Sequence, residues 1–266
     1  MPAWDLAHAA ARGSGVELRP LGALGDADGI LGVMVATWGE FQQIPRELIR
    51  ALQESGNVPH GAFAAGELVG YVLGWAGVDE EGLHVHSHML AVLPDLRSRG
   101  VGYALKLAQR AQGLDQGIHV ARWTFDPLVA RNAYFNLVKL GAGADRFHRN
   151  FYGEMDDLLN RGERTDRLVV RWDLDPDPGR APVDARHAVV VLDREGPEDA
   201  PRPSAVTKAD VGPAAVRIPR DHPALREADP GLAREWRDAV ADALDACFAA
   251  GLAVRGWASE GAYLFS

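Results

Sequence analysis

Hydrophobic positions recur along the first two-thirds of the chain with spacings that alternate between helix and strand. Residues 1–15 are rich in alanine, end in Arg-Gly-Ser-Gly and predict a flexible or weakly helical extension. The elements predicted after it are a strand at 16–20, helices at 26–38 and 45–54, a hairpin of 61–65 and 68–76, a strand at 83–93, a helix at 101–112 ended by Gly113, a strand at 119–125, a helix at 129–140, a strand-capable stretch at 142–151, one or two helical turns at 155–161 and a strand at 168–174.

The last third of the chain has its own pattern of elements. Residues 175–182, rich in proline and aspartate, predict a turn-rich boundary, so that residues 183–266 form a second, accessory α+β subdomain. Its clearest element is a helix that Asp229 caps, that Pro230 begins and that Gly251 ends. Strands are predicted on either side of this helix, at 187–193, 214–219, 252–257 and 262–265.

The loop between the strand at 83–93 and the helix at 101–112 carries the clearest ligand-binding signal. It contains the motif Arg97-x-x-Gly100-x-Gly102. Glycines let the backbone approach a ligand closely, and the free amides at a helix start favour an anion. The loop therefore predicts a pyrophosphate cradle, although it lacks the Lys-Ser/Thr ending of a P-loop and the three-glycine spacing of a dinucleotide fold.

Three histidines alternate along the strand that leads into this loop. His84, His86 and His88 fall on one face of that strand, because successive side chains point to opposite faces of a sheet. Imidazoles titrate near neutral pH and suit the removal of a proton from an ammonium group. Three interpretations remain open: a catalytic base or relay, a polar sheet face, and a pair of metal ligands without a nearby carboxylate or further histidine.

Composition limits the classes of protein that the chain can represent. The 266 residues carry a net charge of −9, which argues against a general affinity for nucleic acid. The one cysteine, Cys247, excludes an internal disulfide, fits a reducing cytoplasm and lies on an apolar helix face, where a buried side chain is expected. No signal peptide and no membrane-spanning run is evident. We therefore expect a cytoplasmic protein that binds neither membranes nor nucleic acid.

The Arg-x-x-Gly-x-Gly loop after a Leu-Ala-Val strand resembles the acyl-CoA-binding motif of the GNAT superfamily of N-acyltransferases. The order of elements over residues 16–180 is similar to that of a complete GNAT domain, which implies an α/β fold with a mixed sheet and helices on both faces. The resemblance also implies acetyl-CoA or another acyl-CoA as co-substrate, and no metal. The CoA contacts that it implies are Leu90, Ala91, Val92, Arg97, Ser98, Arg99, Gly100, Val101, Gly102, Tyr103 and Asn132.

The catalytic residues of the family carry over only in part. His-x-His-x-Leu-Ala-Val resembles the same strand of arylalkylamine acetyltransferases, which implies that His86 and His88 relay the amine proton, with His88 nearest the thioester. The tyrosine that protonates the leaving thiolate in many members aligns with Leu137. Tyr134, nearly one turn earlier, is the candidate acid, with simple packing or a water molecule as alternatives. In this alignment Asn132 lies two positions away from the asparagine that often contacts CoA in the family. The alternative to a CoA contact is a polar residue at a helix start.

The residues that line the acceptor site are inferred only from their position in the order of elements. In the family, the first two helices join over the acceptor, which implies Trp38, Phe41 and Gln42 as lining residues. Of the aromatic residues in this half of the chain, most are expected in the core rather than in the pocket: Trp38, Phe41, Trp75, Trp123 and Phe125.

These features predict an acyl-CoA-dependent N-acyltransferase that acts by direct attack, without a covalent enzyme intermediate. The Ser-His-Met-Leu and Trp-Thr-Phe-Asp-Pro segments and the C-terminal unit resemble a bacterial branch of the superfamily, some members of which are associated with N-succinylation of amino acids. We expect an acetyl or succinyl donor and a small amine or amino acid as acceptor. The C-terminal unit is expected to pack on the first domain or to form a homodimer contact. The alternatives are a non-catalytic CoA-binding or interaction module and a metal hydrolase that uses the three histidines.

Overall fold

The structure, a computed structural model, describes residues 2–40, 43–157, 160–175, 185–198, 200–209 and 212–266. The chain forms two compact units. The first comprises residues 1–123, 156–161 and 173–176, and the second comprises residues 124–155, 162–172 and 177–266. No helix in the described part of the chain has both the length and the apolar character needed to cross a membrane.

The first unit is built on five strands. Its elements are α1 (Ala3–Gly13), β1 (Glu17–Pro20), α2 (Asp26–Trp38), α3 (Arg46–Glu54), β2 (His60–Ala64), β3 (Glu67–Asp79), β4 (Gly82–Val92), α4 (Val101–Asp115) and β5 (Val120–Phe125). The strand order is β1-β2-β3-β4-β5, antiparallel except for the parallel pair of β4 and β5. Every strand and helix predicted between residues 16 and 125 is present, with ends that differ by only a few residues.

Alternate strand positions give this sheet two packed faces. Tyr71 and Leu73 of β3 and Met89 of β4 belong to a buried cluster with residues of α2 and α3. Gly74 lies on the opposite face, where a Cβ would come within 2.7 Å of Gln109 Nε2 of α4. The predicted mixed sheet with helices on both faces is therefore confirmed.

The N-terminal segment is a packed helix, so of the two states predicted for residues 1–15 the helical one is found and the flexible one is not. α1 packs along α4, and its Ala7 and Ala11 are buried. Trp4 Nε1 donates a hydrogen bond to Asp115 Oδ2 at 2.7 Å, and the Trp4 ring lies 5.3 Å from that of His60. Small alanine side chains let the two helices approach closely, and this packing supplies the stability that the segment lacks alone.

Gly113 lies inside α4 and does not end it as predicted. The glycine is buried, and a Cβ there would come within 3.0 Å of Val85 and 3.1 Å of Leu174. Close packing of the helix on β4 therefore explains this glycine. α4 ends at Asp115, shortly before Gly117, whose φ of +72° suits a turn.

The second unit combines a further set of strands with a long C-terminal helix. Its elements are α5 (Ala130–Tyr134), which continues as a π-helical turn (Phe135–Lys139), β6 (Gly143–His148), β7 (Arg167–Asp173), β8 (Val189–Leu192), β9 (Arg194–Glu195), β10 (Arg202–Pro203), β11 (Ala214–Arg217), α6 (His222–Ala228), α7 (Pro230–Ala249), β12 (Val254–Ala258) and β13 (Ala262–Phe265). The main strand order is β7-β6-β12-β13-β11-β8, in which only β11 and β8 are parallel.

Helix α7 has the ends that the sequence predicts. Asp229 Oδ1 accepts hydrogen bonds from the amides of Gly231 and Leu232, each at 3.0 Å, and Gly251 follows the helix with φ +78°. Cys247 is fully buried on the apolar face, and burial raises the pKa of its thiol to about 12. The cysteine is therefore a packing residue, as predicted.

The predicted boundary near residue 180 does not coincide with the division between the two units. Ala144 of β6 pairs with Val254 of β12, so strands from both sides of residue 180 belong to one unit. The helical turns predicted at 155–161 are not found in the described residues of that stretch. The division into domains of 16–180 and 183–266 stays a prediction that truncated chains would test.

Candidate active site

Strands β4 and β5 pair over a short distance and then separate. The parallel ladder joins Val85 to Ala121 and His86 to Arg122, and no further pair between these strands follows in the described residues. β4 continues to Val92. Its last backbone groups on the β5 side are therefore left for another partner. An open gap therefore lies beside β4 after its last pair with β5.

A β-bulge lies in β4 at the closed end of this gap. Leu73 of β3 pairs with Met89, whereas the next residue, Gly74, pairs with Ser87, so His88 is the extra residue of β4. A bulge of this kind bends its strand and redirects a side chain. The bend therefore brings the His88 side chain back towards the face that His86 occupies.

The loop after β4 turns tightly into α4. Gly100 directly precedes the helix with φ +93°, and a Cβ there would come within 2.6 Å of Ser14 Oγ. Both the backbone conformation and the space therefore require glycine at this position. Ser98 also has a positive φ of 63°. Arg97 Nε donates to the carbonyl oxygen of Val92 at 3.1 Å, which fixes the loop to the end of β4.

The start of α4 combines unpaired amides with positive charge. The Ala104 amide donates to Gly100 O at 3.0 Å, so the amides of the three preceding helical residues have no acceptor within the helix. No side chain caps α4, and its first turn contains no acidic residue. Arg97 and Arg99 are exposed beside it. These groups fit the pyrophosphate of CoA, because a helix N-terminus and guanidinium groups both stabilise an anion.

His86, His88 and Trp75 form an aromatic cluster beside the closed end of the gap. The Trp75 ring lies 4.8 Å from that of His86 and 5.0 Å from that of His88, and the two imidazoles are 5.8 Å apart. His84 is buried farther along β4, with its Nδ1 3.9 Å from Asp79 Oδ2. In the described residues, no group of three or more His, Cys, Asp or Glu side chains has the geometry to hold a metal ion.

The imidazoles of this cluster are neutral near pH 7. Burial, together with the neighbouring His88, His84 and Lys106, lowers the pKa of His86 to about 4. Burial also lowers the pKa of His88. A neutral imidazole accepts a proton, so both rings have the protonation state that a proton relay requires, although a low pKa makes His86 a weak base on its own.

Ser87 and Lys106 form a polar contact on the other face of β4, and the sequence does not predict either as a site residue. Lys106 Nζ donates to Ser87 Oγ at 2.8 Å and to Gln109 Oε1 at 3.4 Å, and it lies 3.4 Å from the centroid of the Trp123 ring. Both Ser87 and Lys106 are buried, and burial lowers the pKa of Lys106 well below its ordinary value.

The candidates on α5 belong to the second unit. Tyr134 is 45% exposed, and Lys139 Nζ lies 5.8 Å from its ring centroid. Leu137, which aligns with the family tyrosine, is buried and serves as a packing residue. Asn132 is half-buried in the first turn of α5. The catalytic role of Tyr134 and the CoA contact of Asn132 stay predictions.

The predicted acceptor residues are only partly described. Trp38, the last residue of α2, is half-buried and packs against the hydrophobic cluster of the first unit. Phe41 and Gln42 lie outside the described residues. Trp123 and Phe125 are buried, as predicted for core residues.

Comparison with known proteins finds a family match over part of the chain. Residues 33–136, which include β4, the glycine loop and α4, match the sequence model of the family described as Acetyltransferase (GNAT) family. GNAT enzymes transfer an acyl group from CoA to an amine. The match therefore supports an N-acyltransferase activity for this protein.

Several solved structures of acetyltransferases are similar to part of the chain. A probable acetyltransferase from Staphylococcus epidermidis is similar with a TM-score of 0.50 at 13% identity, over 59% of this chain and 98% of that chain. The ribosomal-protein-S18-alanine N-acetyltransferase from Escherichia coli is similar with a TM-score of 0.49 at 15% identity, over 64% of this chain and 99% of that chain. The Salmonella typhimurium protein yncA, solved with acetyl-CoA, has a TM-score of 0.48 at 16% identity, over 64% of this chain and 98% of that chain. No curated protein sequence matches the chain.

Proposed function

We propose that this GNAT enzyme transfers an acetyl or succinyl group from CoA to the amine of a small molecule such as an amino acid. The amine attacks the thioester carbonyl directly, and His86 and His88 assist the loss of its proton. The observation that carries the proposal is the gap beside β4. This strand leads from the histidine cluster, along the open gap, to the anion-binding start of α4.

The donor side of the proposal follows from the length and chemistry of β4. From His86 to Val92 the strand covers roughly 20 Å at ~3.3 Å per residue, a length comparable with the pantetheine arm of CoA. With the pyrophosphate at the glycine loop, the amides of the arm would bond to the free backbone groups near Leu90 and Ala91. The thioester would then reach the histidine end of the gap. The acetyl-CoA in the structure of yncA supports this type of donor.

The acceptor side follows from the protonation state of the histidines. An amine substrate arrives as an ammonium ion and must lose a proton before it attacks. The neutral rings of His86 and His88 lie close enough to pass a proton between them through one water molecule. The choice of an amino acid as acceptor, and of succinyl as an alternative to acetyl, rests on the resemblance to the bacterial branch described above.

The proposal is tested by measuring thiol release from acetyl-CoA and succinyl-CoA with a panel of amines and amino acids. We expect release that depends on the amine and that favours one donor. Hydroxy acids matched to the amino acids serve as controls without a nucleophilic amine. Absence of release with every acceptor, from protein that binds CoA in calorimetry, would overturn the proposal.

A further inference from the structure

Ser87 and Lys106 meet at the point where β4 and β5 separate. Ser87 follows His86, and Trp123 follows Arg122, which together form the last pair between the two strands. Lys106 Nζ contacts both of the next residues, as a donor to Ser87 Oγ at 2.8 Å and over the Trp123 ring at 3.4 Å. The amine therefore lies at the closed end of the gap that the CoA arm would occupy.

The Lys106 amine has no acidic partner in the described residues. Its polar contacts are the Ser87 hydroxyl and the Gln109 side-chain carbonyl, and only 2% of the lysine is exposed. An ammonium group buried without a carboxylate destabilises a fold, and the contact with the Trp123 ring offsets only part of that cost. Methionine, which has a similar volume, would fill the same space without the penalty. Packing alone therefore does not explain a lysine here.

The Ser87 hydroxyl is available as a hydrogen-bond donor. Its oxygen accepts the bond from Lys106, and none of the described residues accepts a hydrogen bond from it. Ser87 is next to His86 in the strand, so the two side chains point to opposite faces of β4. A thioester at the end of the gap would then have the histidine relay on one side and this hydroxyl on the other.

We propose that Ser87, which is hydrogen-bonded to Lys106, protonates the sulfur of CoA as the thiolate leaves. The inference rests on the proposed function. When the bond between carbonyl carbon and sulfur breaks, its electron pair goes to sulfur, which takes the Ser87 hydroxyl proton. The Ser87 oxygen takes a proton from the Lys106 ammonium, and the neutral amine regains one from water. The burial that lowers the pKa of Lys106 makes its ammonium a stronger acid.

The test measures the pKa of the CoA thiol bound to the full-length protein, from the ultraviolet absorbance of the thiolate. A proton donor next to the sulfur stabilises the thiolate, so we expect a thiol pKa below that of free CoA in the wild type. S87A and K106M should return it to the free value. The control K208M, which changes an exposed lysine, should leave it lowered.

Kinetics of the same variants separate a catalytic pair from a structural one. We expect kcat to fall roughly 100-fold in S87A and in K106M, with no further loss in the double variant and with KM for acyl-CoA near the wild-type value. K106M should be at least as stable as the wild type. Loss of activity only in proportion to loss of folded protein would overturn the inference.

The inference and the proposed function fail in different ways. If no amine is acylated but the bound thiol still has a lowered pKa that depends on Lys106, the function is wrong and the proton-donating pair remains supported. If amines are acylated but the bound thiol has the pKa of free CoA, the pair is wrong and the function stands. Failure to bind CoA would overturn both.

Discussion

Two neighbouring residues of β4, His86 and Ser87, carry much of the proposed chemistry because they point to opposite faces of the strand. The histidine could be predicted from the sequence, since alternation and a known motif both mark it. Ser87 and Lys106 could not, because their contact exists only once α4 packs on β4. A weak signal was present: Gly102 and Gly113 lie four residues before and seven after Lys106, on the helix face that approaches the sheet.

Replacement of His86 or His88 by glutamine should slow acyl transfer at neutral pH. We expect kcat/KM to fall roughly 100-fold near pH 7 and to recover as the pH rises, because the free amine then needs no base. In the wild type, the contribution of His86 should disappear only as the pH falls towards about 4, where the ring becomes protonated. H119Q, at an exposed histidine 2.9 Å from Asp175, is the matched control. Equal rates for wild type and variants at every pH would exclude the relay.

The elements themselves follow closely from hydrophobic spacing, and two of the exceptions share one cause. Spacing alone predicts a flexible or weakly helical segment in place of α1 and an end of α4 at Gly113, because a helix that packs through small residues has only a weak periodic signal. Ala7 and Ala11 contribute little apolar surface each, yet both are fully covered when α1 packs on α4. Close approach of backbones is a tertiary property that single-helix periodicity does not reveal.

Helix α1 should contribute to the stability of the first unit. A11D places a charge in a buried site and should lower the free energy of unfolding by roughly 3 kcal/mol in a urea titration. A9D, two residues away at an exposed position, should change it by less than about 0.5 kcal/mol. If A11D is as stable as A9D, α1 does not pack on α4.

Alanine substitutions at the two glycines of the loop motif should have different effects on stability and on CoA binding. G100A forces a side chain into a backbone with φ +93° and against Ser14, so we expect roughly 2 kcal/mol less stability and weaker CoA binding in calorimetry. G102A places a methyl group 3.7 Å from Leu90, an ordinary contact, and should bind CoA almost as well as the wild type. Equal affinities for CoA in both variants would show that the conformation of the loop does not control binding.

On the scale of the whole molecule, the sequence predicts the class of fold, and the predicted boundary near residue 180 differs from the division into compact units. A buried ionic cluster shows why. Arg237 of α7 donates to both carboxylate oxygens of Asp126, at 2.7 and 2.9 Å, and also bonds Glu163. Partners more than 70 residues apart leave no local pattern, so the sequence analysis places the boundary at the proline-rich run near residue 180.

Truncation after residue 180 should leave an unfolded or aggregated product. The fragment would retain Asp126 and Glu163 without Arg237, and β6 would lose its pairing with β12. In the full chain, R237M should lower the free energy of unfolding by roughly 3–5 kcal/mol, because it removes the nearest cation from two largely buried carboxylates, Asp126 and Glu163. A soluble 1–180 fragment with cooperative thermal unfolding would support the predicted domain boundary instead.

The proposed function is the transfer of an acyl group from CoA to the amine of a small molecule. The most direct measurement is mass spectrometry of the products formed from acetyl-CoA or succinyl-CoA and a mixture of amino acids and amines. We expect one or a few acceptors to gain the mass of a single acyl group, with one CoA thiol released per product. CoA bound by the protein without any acylated amine would contradict the account.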